Sequence, residues 1–539
     1  MRRQLYDKIN AKREGYTMNF ISILEPERVW DKWPDRAPAY FLDLNIDQIL
    51  KLIQEESMDY NIAPMYYQFP DREGMTYRRE IYQDIKQPEI FESLQKFSEN
   101  MRHSNHMERT HVAKDNEMQG CIWRTEAIYY YCMAVSGLHD VLKNALEQNM
   151  IRSEGLKSLY GYLDALQKDE SFAKMQEDVR AIWDKIKSFR FTLTIQDNRL
   201  VIKEGATDGT YESFLEENFG QYNVAKKDSL HSPYMGSQML SGLEKKLLMA
   251  YFTKYPKLLK EIVAFAAGYT NYKKEELLRL EQEVQFYLSY YRFQRKCQKQ
   301  GFVFTCPGCD DKKPMEASGV YDLALACVNY LQDKEVISND FTYAQGEQFF
   351  VVNGPNQGGK TTFARSVGQL VYFTKMGLDV NAVSANIHYF TDLLTHFSVE
   401  ESMETGQGKL MEELSRLSPI MRANCRHAFV IINELFTTAA HYDGCIMGAR
   451  VLEHFTGCDC KGVYVTHLRE LGNACDGVVR LAAMLDGTAA HRRTYRVIRN
   501  TAELDGYAED IVNKYQLSYD DLHERLKNPA WMEGGNASC

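Results

Sequence analysis

The chain has 539 residues, of which 44% are hydrophobic and 26% are charged, and its formal net charge is −10. At roughly 100–200 residues per domain, this length predicts two or three domains, and the composition excludes wholesale disorder. The acidic balance excludes a uniformly basic nucleic-acid coat protein, although it is compatible with a local basic face.

Membrane insertion and secretion are not expected. No apolar run reaches the roughly 18 residues of a membrane-spanning helix, and the charged N-terminus has no apolar stretch behind it. The twelve cysteines are scattered through the chain, as is typical of reduced thiols. We therefore expect a cytoplasmic protein with no membrane partner.

The first 300 residues predict a mostly helical structure. Residues 1–75 have no clear fold, apart from one helical stretch near Leu44 to Ser57. Residues 76–300 predict a helical core or lever domain, because apolar residues recur there at three- and four-residue spacing. An alternating pattern on both sides of a polar turn predicts an inserted β-hairpin near residues 189–203. The helical stretches are Glu80 to Met101, Glu126 to Asn149, Ser153 to Asp169, Phe172 to Phe189 and Leu240 to Lys299, the last interrupted around Gly268.

Residues 301–502 predict an α/β domain. Three near-continuous hydrophobic strands, Phe349–Val352, Phe429–Ile432 and Gly462–Thr466, have the composition of buried parallel strands. Residues 503–539 form the last segment, which returns to a helical pattern over Glu503 to Leu526.

A phosphate-binding loop follows the first of these strands. Gly354, Gly359, Lys360 and Thr361 satisfy the pattern G-x-x-x-x-G-K-[ST] between a strand and a helix. Glycines allow backbone N–H groups to face a phosphate, and the helix N-terminus favours the anion. Lys360 would contact the terminal phosphates and Thr361 would bind Mg²⁺, so the loop predicts ATP and Mg²⁺ as ligands; the alternative is a coincidental Gly-rich turn. The nucleotide-binding residues are Gly354, Pro355, Asn356, Gln357, Gly358, Gly359, Lys360, Thr361 and Thr362.

Two further strand ends supply polar side chains. Asn433 stands where ATP-hydrolysing enzymes of this design usually place a Mg²⁺-supporting Asp, so it would contact the metal only through water. Glu434 is the predicted base for the attacking water, and His467, just beyond the third strand, is the second predicted catalytic residue. The alternatives are an ordinary strand end with a capping Asn and a structural histidine.

These elements, in this order, resemble the ATPase domain of the MutS family of DNA mismatch-repair clamps. The loop is similar to the family's G-P-N-M-G-G-K-S-T, Asn433-Glu434 stands in place of its D-E, and Thr466-His467 resembles its A-T-H. Weaker similarities are Val336 to Asp340 with the V-x-N-D segment, Tyr442-Asp443-Gly444 with Y-D-G, and Gly506 to Leu517 with the closing helix-turn-helix region. The resemblance implies an α-helical core and lever domain followed by an α/β P-loop ATPase of the ABC type and a C-terminal helical segment.

The chain also departs from the family pattern. The family's trans-acting segment reads G-x-S-T-F-x-x-E, and Gly408 replaces its serine while Glu413 keeps its last residue. By resemblance, Gly408 would contact a nucleotide bound to the partner subunit of a homodimer. After Glu434 the family has G-R-G-T-S, whereas this chain has Phe436 to Ala440. We therefore expect slow or differently triggered hydrolysis.

The resemblance leaves competing functions open. The first is an ATP-driven dimeric clamp on DNA, related to mismatch repair or recombination and working with repair proteins. Since only some 75 residues precede the helical core, we expect a short member without the mismatch-recognition and connector domains. The second is an ATP-dependent regulatory switch that acts on a protein or ribonucleoprotein; a metabolic kinase is a third alternative.

The cysteines offer one further hypothesis. Cys306 and Cys309 have metal-ligand spacing, and Cys458 and Cys460 are a poor candidate for the second pair of a zinc site. A surface turn is the favoured interpretation of the first pair.

Overall fold

The structure is a computed structural model. It describes residues 20, 22–26, 33–57, 60–112, 117–188, 191–196, 199–204, 255–330, 335–398, 409–422, 425–485, 493–499 and 517–527. The chain divides into two compact units. The first comprises residues 1–31 and 80–288, and the second comprises residues 32–79 and 289–539.

Helices dominate the first half of the chain and alternate with strands in the second. In chain order the helices are α1 (Tyr40–Asp43), α2 (Ile46–Glu55), α3 (Arg72–Ile85), α4 (Pro88–Met107), α5 (Glu117–Glu147), α6 (Glu154–Gln167), α7 (Glu170–Ser188), α8 (Pro256–Gly268), α9 (Glu275–Lys299), α10 (Leu323–Tyr330), α11 (Lys360–Lys375), α12 (Lys409–Arg422), α13 (His441–Gly457) and α14 (Tyr519–Lys527). Short 3₁₀ turns lie at Ala63–Tyr66 and Arg469–Asn473, and a π-helical turn lies at Glu108–Val112.

The strands are β1 (Phe191–Gln196), β2 (Arg199–Glu204), β3 (Met315–Val320), β4 (Asn339–Tyr343), β5 (Phe349–Asn353), β6 (Ser384–Asn386), β7 (Leu393–Phe397), β8 (Phe429–Asn433), β9 (Lys461–Val465), β10 (Val478–Leu485) and β11 (Arg493–Arg499). The expected order of a helical region followed by an α/β region is confirmed. Among the described residues, no helix combines the length and the apolar character needed to cross a bilayer.

The first unit is built around the long antiparallel contact of α4 with α5. Apolar residues of α4 recur at helical spacing and are buried, among them Ile90, Leu94, Phe97 and Met101. One expectation is corrected here: the predicted helix Glu80 to Met101 is two helices. Pro88 is the first residue of α4; it cannot donate a backbone hydrogen bond, and the preceding residue is extended, so the helix restarts there.

The inserted strands of the first unit form a two-stranded antiparallel hairpin, with Phe191 opposite Glu204 and Gln196 opposite Arg199. Residues 205–254 lie outside the described residues, and they include the start of the predicted helix from Leu240.

The second unit contains a six-stranded sheet in the order β11-β10-β5-β9-β8-β7. All neighbours are parallel except β11, which runs antiparallel to β10. Every residue of β5 and β8 is buried, which agrees with their continuous apolar sequences. Parallel pairing places the carboxyl ends of β5, β8 and β9 at one edge of the sheet. A smaller antiparallel sheet, β4-β3-β6, belongs to the same unit.

The described residues between 33 and 75 belong to the segment in which the sequence predicted only one helical stretch, near Leu44 to Ser57, and they pack against helix α11 of the second unit. The Gln369 amide donates to the Leu44 carbonyl oxygen at 2.9 Å, and the Tyr372 hydroxyl donates to the Tyr66 carbonyl oxygen at 2.8 Å. The space is tight, because a Cβ on Gly368 would lie 2.7 Å from a Leu44 methyl group. At the other end of the chain, only α14 of the predicted C-terminal helical segment is described.

Candidate nucleotide-binding site

The segment Gly354 to Gly359 connects β5 to α11 through a strained, glycine-dependent turn. Gly354 has φ +136° and Gly359 has φ +92°, both in the region that side chains disfavour. A Cβ on Gly354 would also lie 2.9 Å from the Ala483 Cβ and 3.0 Å from the Ala483 carbonyl oxygen. Glycine is therefore required at this position both for its backbone conformation and for the lack of space.

Lys360 is folded back into this loop. Lys360 is only 4% exposed. Its Nζ donates hydrogen bonds to the carbonyl oxygens of Gly354 and Pro355, both at 3.0 Å. Burial lowers the pKa of Lys360, and the nearby Glu434 carboxylate opposes that shift. The loop thus holds a largely desolvated cation against its own carbonyl groups, and an anionic ligand would compete for it.

Thr361 connects the loop to the end of β8. Its hydroxyl donates to the Asn433 Oδ1 atom at 2.9 Å. On the adjoining strand, the Asn353 amide donates to the Thr466 carbonyl oxygen at 2.7 Å. Both asparagines are 7% exposed. The ends of β5, β8 and β9 are therefore linked by side-chain hydrogen bonds at the sheet edge where α/β proteins bind ligands.

Glu434 and His467 lie side by side at the same edge. The His467 Nε2 atom is 3.2 Å from the Glu434 Oε1 atom, and their side chains are 44% and 33% exposed. Glu434 has φ +54°, and its backbone N–H donates to the Val465 carbonyl oxygen at 2.9 Å. A non-glycine residue in this conformation is uncommon and costs free energy, so the surrounding structure imposes the position of this carboxylate.

Two of the other predicted loop residues, Gln357 and Gly358, form hydrogen bonds at the site. Gly358 donates its N–H to the Pro355 carbonyl oxygen at 3.1 Å, and the Gln357 Oε1 accepts from Arg493 at 3.0 Å. Asn356 is exposed, and Thr362 is half-buried in the first turn of α11. Gly408 lies outside the described residues. All other residues that we predicted from the sequence for this site come together at one edge of the sheet.

Strands β10 and β11 add residues that the sequence analysis missed. Ala483 limits the space beside Gly354, and Tyr495, with φ +56°, approaches Gly359. Asn339 fixes this part of β11, since its amide donates to the Tyr495 carbonyl oxygen and its Oδ1 accepts from the Val497 N–H at 2.7 Å. Asn339 belongs to the V-x-N-D similarity, but β11 carries no motif, and a register shift near Ala483 could not be read from the sequence.

Glu413, the last residue of the trans-acting similarity, has a contact within its own chain. It is 5% exposed, and its Oε2 accepts a hydrogen bond from the backbone N–H of Phe436 at 3.1 Å. Phe436 has φ +63° and is buried. Glu413 therefore supports the segment that follows Glu434.

The arrangement of the cysteines differs from the zinc site considered in the sequence analysis, in which Cys306 and Cys309 were weighed with Cys458 and Cys460. Cys306 is exposed, and neither it nor Cys309 belongs to a group of metal-ligand atoms in the part of the chain that the structure describes. Cys458 instead lies close to Cys425 and His454.

Comparison with known sequences agrees with this geometry. The family described as MutS domain V matches residues 350–504, a range that begins in β5 and includes Lys360, Asn433, Glu434 and His467. This part of the chain matches the MutS family. The matched range contains β7, β8, β9 and β10 and all of β5 except Phe349.

Individual proteins similar to this chain are DNA mismatch-repair proteins. It is 24% identical over 302 residues to DNA mismatch repair protein MSH3 of Arabidopsis thaliana, covering 54% of this chain and 27% of the relative. It is 26% identical over 201 residues to DNA mismatch repair protein MutS of Clostridium beijerinckii, covering 33% and 21%. With MutS of Sorangium cellulosum the identity is 31% over 127 residues, covering 23% and 14%. The chain thus matches about a quarter or less of the length of these relatives.

Proposed function

We propose that this chain binds and hydrolyses ATP with Mg²⁺ and acts as a dimeric clamp on DNA, in a process related to mismatch repair or recombination. The observation that carries the proposal is the convergence of Lys360, Thr361, Asn433, Glu434 and His467 at one sheet edge. A phosphate-binding loop, a metal-supporting position and a polarising carboxylate are the parts that ATP hydrolysis requires.

The residues present fit the nucleotide and its metal. Gly354, Gly358 and Gly359 leave open the volume that side chains would fill, and Lys360 is a buried cation whose Nζ donates to the backbone carbonyl groups of Gly354 and Pro355. Together with the α11 N-terminus, these groups would hold the phosphates. Thr361 would hold Mg²⁺ through its hydroxyl and Asn433 would do so through water, and the metal would supply neutralisation of phosphate charge.

Hydrolysis would depend on Glu434 and His467. The Glu434 carboxylate would accept a proton from the attacking water, and His467, 3.2 Å away, would orient that carboxylate. Asn433 brings no negative charge to the metal, so we expect slow turnover. In the dimer that we propose, Gly408 of one subunit would face the nucleotide of the other through its backbone N–H.

Nucleotide binding is tested with Lys360→Ala, which removes the cation from the loop. We expect ATP affinity to fall by about 10- to 150-fold, since hydrogen bonds to charged groups contribute roughly 1.5–3 kcal/mol. Lys461→Ala is a matched control: Lys461 is half-buried, its pKa is likewise lowered by burial and its Nζ donates to a carbonyl oxygen, but it lies at the amino end of β9. Equal ATP affinity in both variants would refute the loop assignment.

Hydrolysis is tested separately with Glu434→Gln, which keeps the size of the side chain and removes the base. We expect ATP affinity close to that of the wild type and turnover lower by about 100-fold or more. Unchanged turnover would remove Glu434 from the mechanism without affecting the assignment of the binding loop.

The DNA part of the proposal rests on the mismatch-repair relatives. Affinity for duplex and branched DNA is measured with and without ATP across a salt series. We expect ATP-dependent binding that weakens with salt, because phosphate contacts release counterions. If the chain binds ATP but shows no affinity for any DNA at low salt, the alternative is favoured: a regulatory switch acting on a protein or ribonucleoprotein, which the Asn433 substitution and the net charge of −10 also suit.

A further inference from the structure

A cluster of thiol and imidazole groups lies at the end of the sheet opposite to the nucleotide site. Cys425 precedes β8 by four residues, His454 and Cys458 come from the C-terminal end of α13, and Cys460 immediately precedes β9. One metal-ligand atom each from Cys425, His454 and Cys458 lies within 4.8 Å of the other two. Since a strand rises about 3.3 Å per residue, this cluster is about 15 Å from the carboxyl ends of the same strands.

The distances suit a tetrahedral zinc ion. The Cys425 Sγ atom is 3.8 Å from the His454 Nε2 atom. Zinc–sulfur and zinc–nitrogen bonds of about 2.3 and 2.0 Å at a tetrahedral angle would place these two atoms about 3.6 Å apart. His454 and Cys458 are four residues apart at the end of one helix, a spacing that puts both side chains on the same face. Zinc therefore fits with only small side-chain movement.

Cys460 lies beside this three-residue group. It is fully buried, and its Sγ lies 2.7 Å from the Cys425 carbonyl oxygen, to which the thiol donates. Two or more cysteines with one histidine are typical ligands of structural zinc, whose sites are closed to solvent.

The backbone around the cluster is fixed independently of any ion. The Ala428 N–H donates to the Cys425 carbonyl oxygen at 2.9 Å, and the Cys460 N–H donates to the Phe455 carbonyl oxygen at 3.1 Å. His427 and Asp459, one in each turn, have φ +58° and +56°, and their side chains are paired at 2.9 Å. The two turns that present the ligands are therefore already built and joined to each other.

We propose that Cys425, His454, Cys458 and Cys460 bind one structural zinc ion. Bound there, zinc ties the chain entering β8 to the chain entering β9. These two strands carry Asn433, Glu434 and His467 at their other ends, so the ion would stabilise the strands that position the nucleotide site. This proposal does not depend on the nucleotide or DNA assignments.

The first test uses the wild-type chain. Metal content is measured by mass spectrometry after purification without chelators, and the thiols are then titrated with Co²⁺ after zinc removal. We expect about one zinc per chain, and with cobalt the absorption spectrum of a tetrahedral thiolate complex. A chain that takes up less than about a tenth of an equivalent after reconstitution overturns the proposal. So does peptide mapping that finds a disulfide between two cysteines of the cluster.

The second test uses cysteine variants with matched controls. Cys458→Ser and Cys460→Ser should each weaken zinc binding by about tenfold or more, because a neutral hydroxyl replaces a thiolate ligand. Cys445→Ser is the control, since Cys445 lies 3.8 Å from His441 and 3.6 Å from Glu470 in an exposed group of possible ligands. Loss of zinc from Cys445→Ser assigns the ion to that exposed group and overturns the proposal. If Cys460→Ser binds zinc with the affinity of the wild type, Cys460 is not a ligand and the four-ligand assignment is overturned.

Discussion

Replacing Asn433 by Asp examines how the site supports Mg²⁺. The Asn433 Oδ1 accepts a hydrogen bond from the Thr361 hydroxyl at 2.9 Å, and the residue is 7% exposed. Aspartate keeps an acceptor oxygen in the same place and adds a negative charge beside the position that we propose for the metal. The substitution therefore changes charge with little change in shape.

The expected gain follows from Coulomb's law. A carboxylate and a divalent ion separated by one water, about 4.5 Å apart, attract each other by about 2 kcal/mol in a water-like medium and about 7 kcal/mol at an effective dielectric constant of roughly 20. Burial of the new carboxylate opposes this attraction. We expect a net gain of about 1–2 kcal/mol, which corresponds to Mg²⁺ binding about 5–30 times more tightly, together with higher ATP turnover.

The assay is a Mg²⁺ titration of ATP turnover at saturating ATP. Asn353→Asp is the matched control, because Asn353 is equally buried at the end of the adjacent strand, but its amide donates to the Thr466 carbonyl oxygen at 2.7 Å. Aspartate cannot donate that bond, so this variant should lose stability without a gain in Mg²⁺ affinity. The reasoning is refuted if Asn433→Asp requires as much Mg²⁺ as the wild type, or if both variants improve equally.

Three further predictions concern stability. Gly354→Ala should destabilise the chain by about 2–4 kcal/mol in denaturant unfolding, since strain at positive φ adds to the overlap with Ala483. Gly346→Ala is the control: it has φ +87° but open space, so it should cost only about 1 kcal/mol. Equal losses of stability in the two variants would contradict the steric argument. Burial lowers the pKa of His396 to about 4, so as pH falls from about 6.5 to 4 only the unfolded chain takes up this proton and about 3 kcal/mol of stability is lost. His396→Leu should flatten that part of the pH–stability curve, and an unchanged acid slope would contradict the assignment. Gly137→Ala, inside α5 with open space around the new methyl group, should stabilise the chain by about 0.5–1 kcal/mol, seen as a higher Tm; a lower Tm would reveal a steric conflict.

Local patterns were sufficient for the central elements of the site. The strand predicted at Phe349–Val352 lies at Phe349–Asn353, and the one predicted at Phe429–Ile432 lies at Phe429–Asn433. A buried parallel strand is apolar along its whole length, so it is visible in sequence. The loop after the first strand is equally local, because consecutive residues define its glycine and lysine spacing. The alternation that predicted the hairpin is also a property of neighbouring residues, and it corresponds to strands β1 and β2.

The ends of helices were harder to predict from the sequence than the buried strands. The apolar spacing from Glu80 to Met101 continues across the break at Pro88, since the next helix buries a face of similar composition. A proline is compatible with the first turn of a helix as well as with a kink, and periodicity alone does not distinguish these cases.

The sequence by itself predicted which residues of this chain would supply phosphate binding, metal support and a base, since each lies at or just beyond the end of a recognisable strand. Tertiary structure alone decided what surrounds them: Ala483 beside Gly354, Asn339 fixing β11, and residues 33–79 packed on α11. It also placed Cys458 beside Cys425 and His454, and Cys460 beside Cys425, whereas no group of metal-ligand atoms among the described residues includes Cys306 or Cys309. The physical reason is the same in each case. These contacts join residues far apart in the chain, and their geometry depends on strand order and register, which the spacing of residues within one segment does not encode.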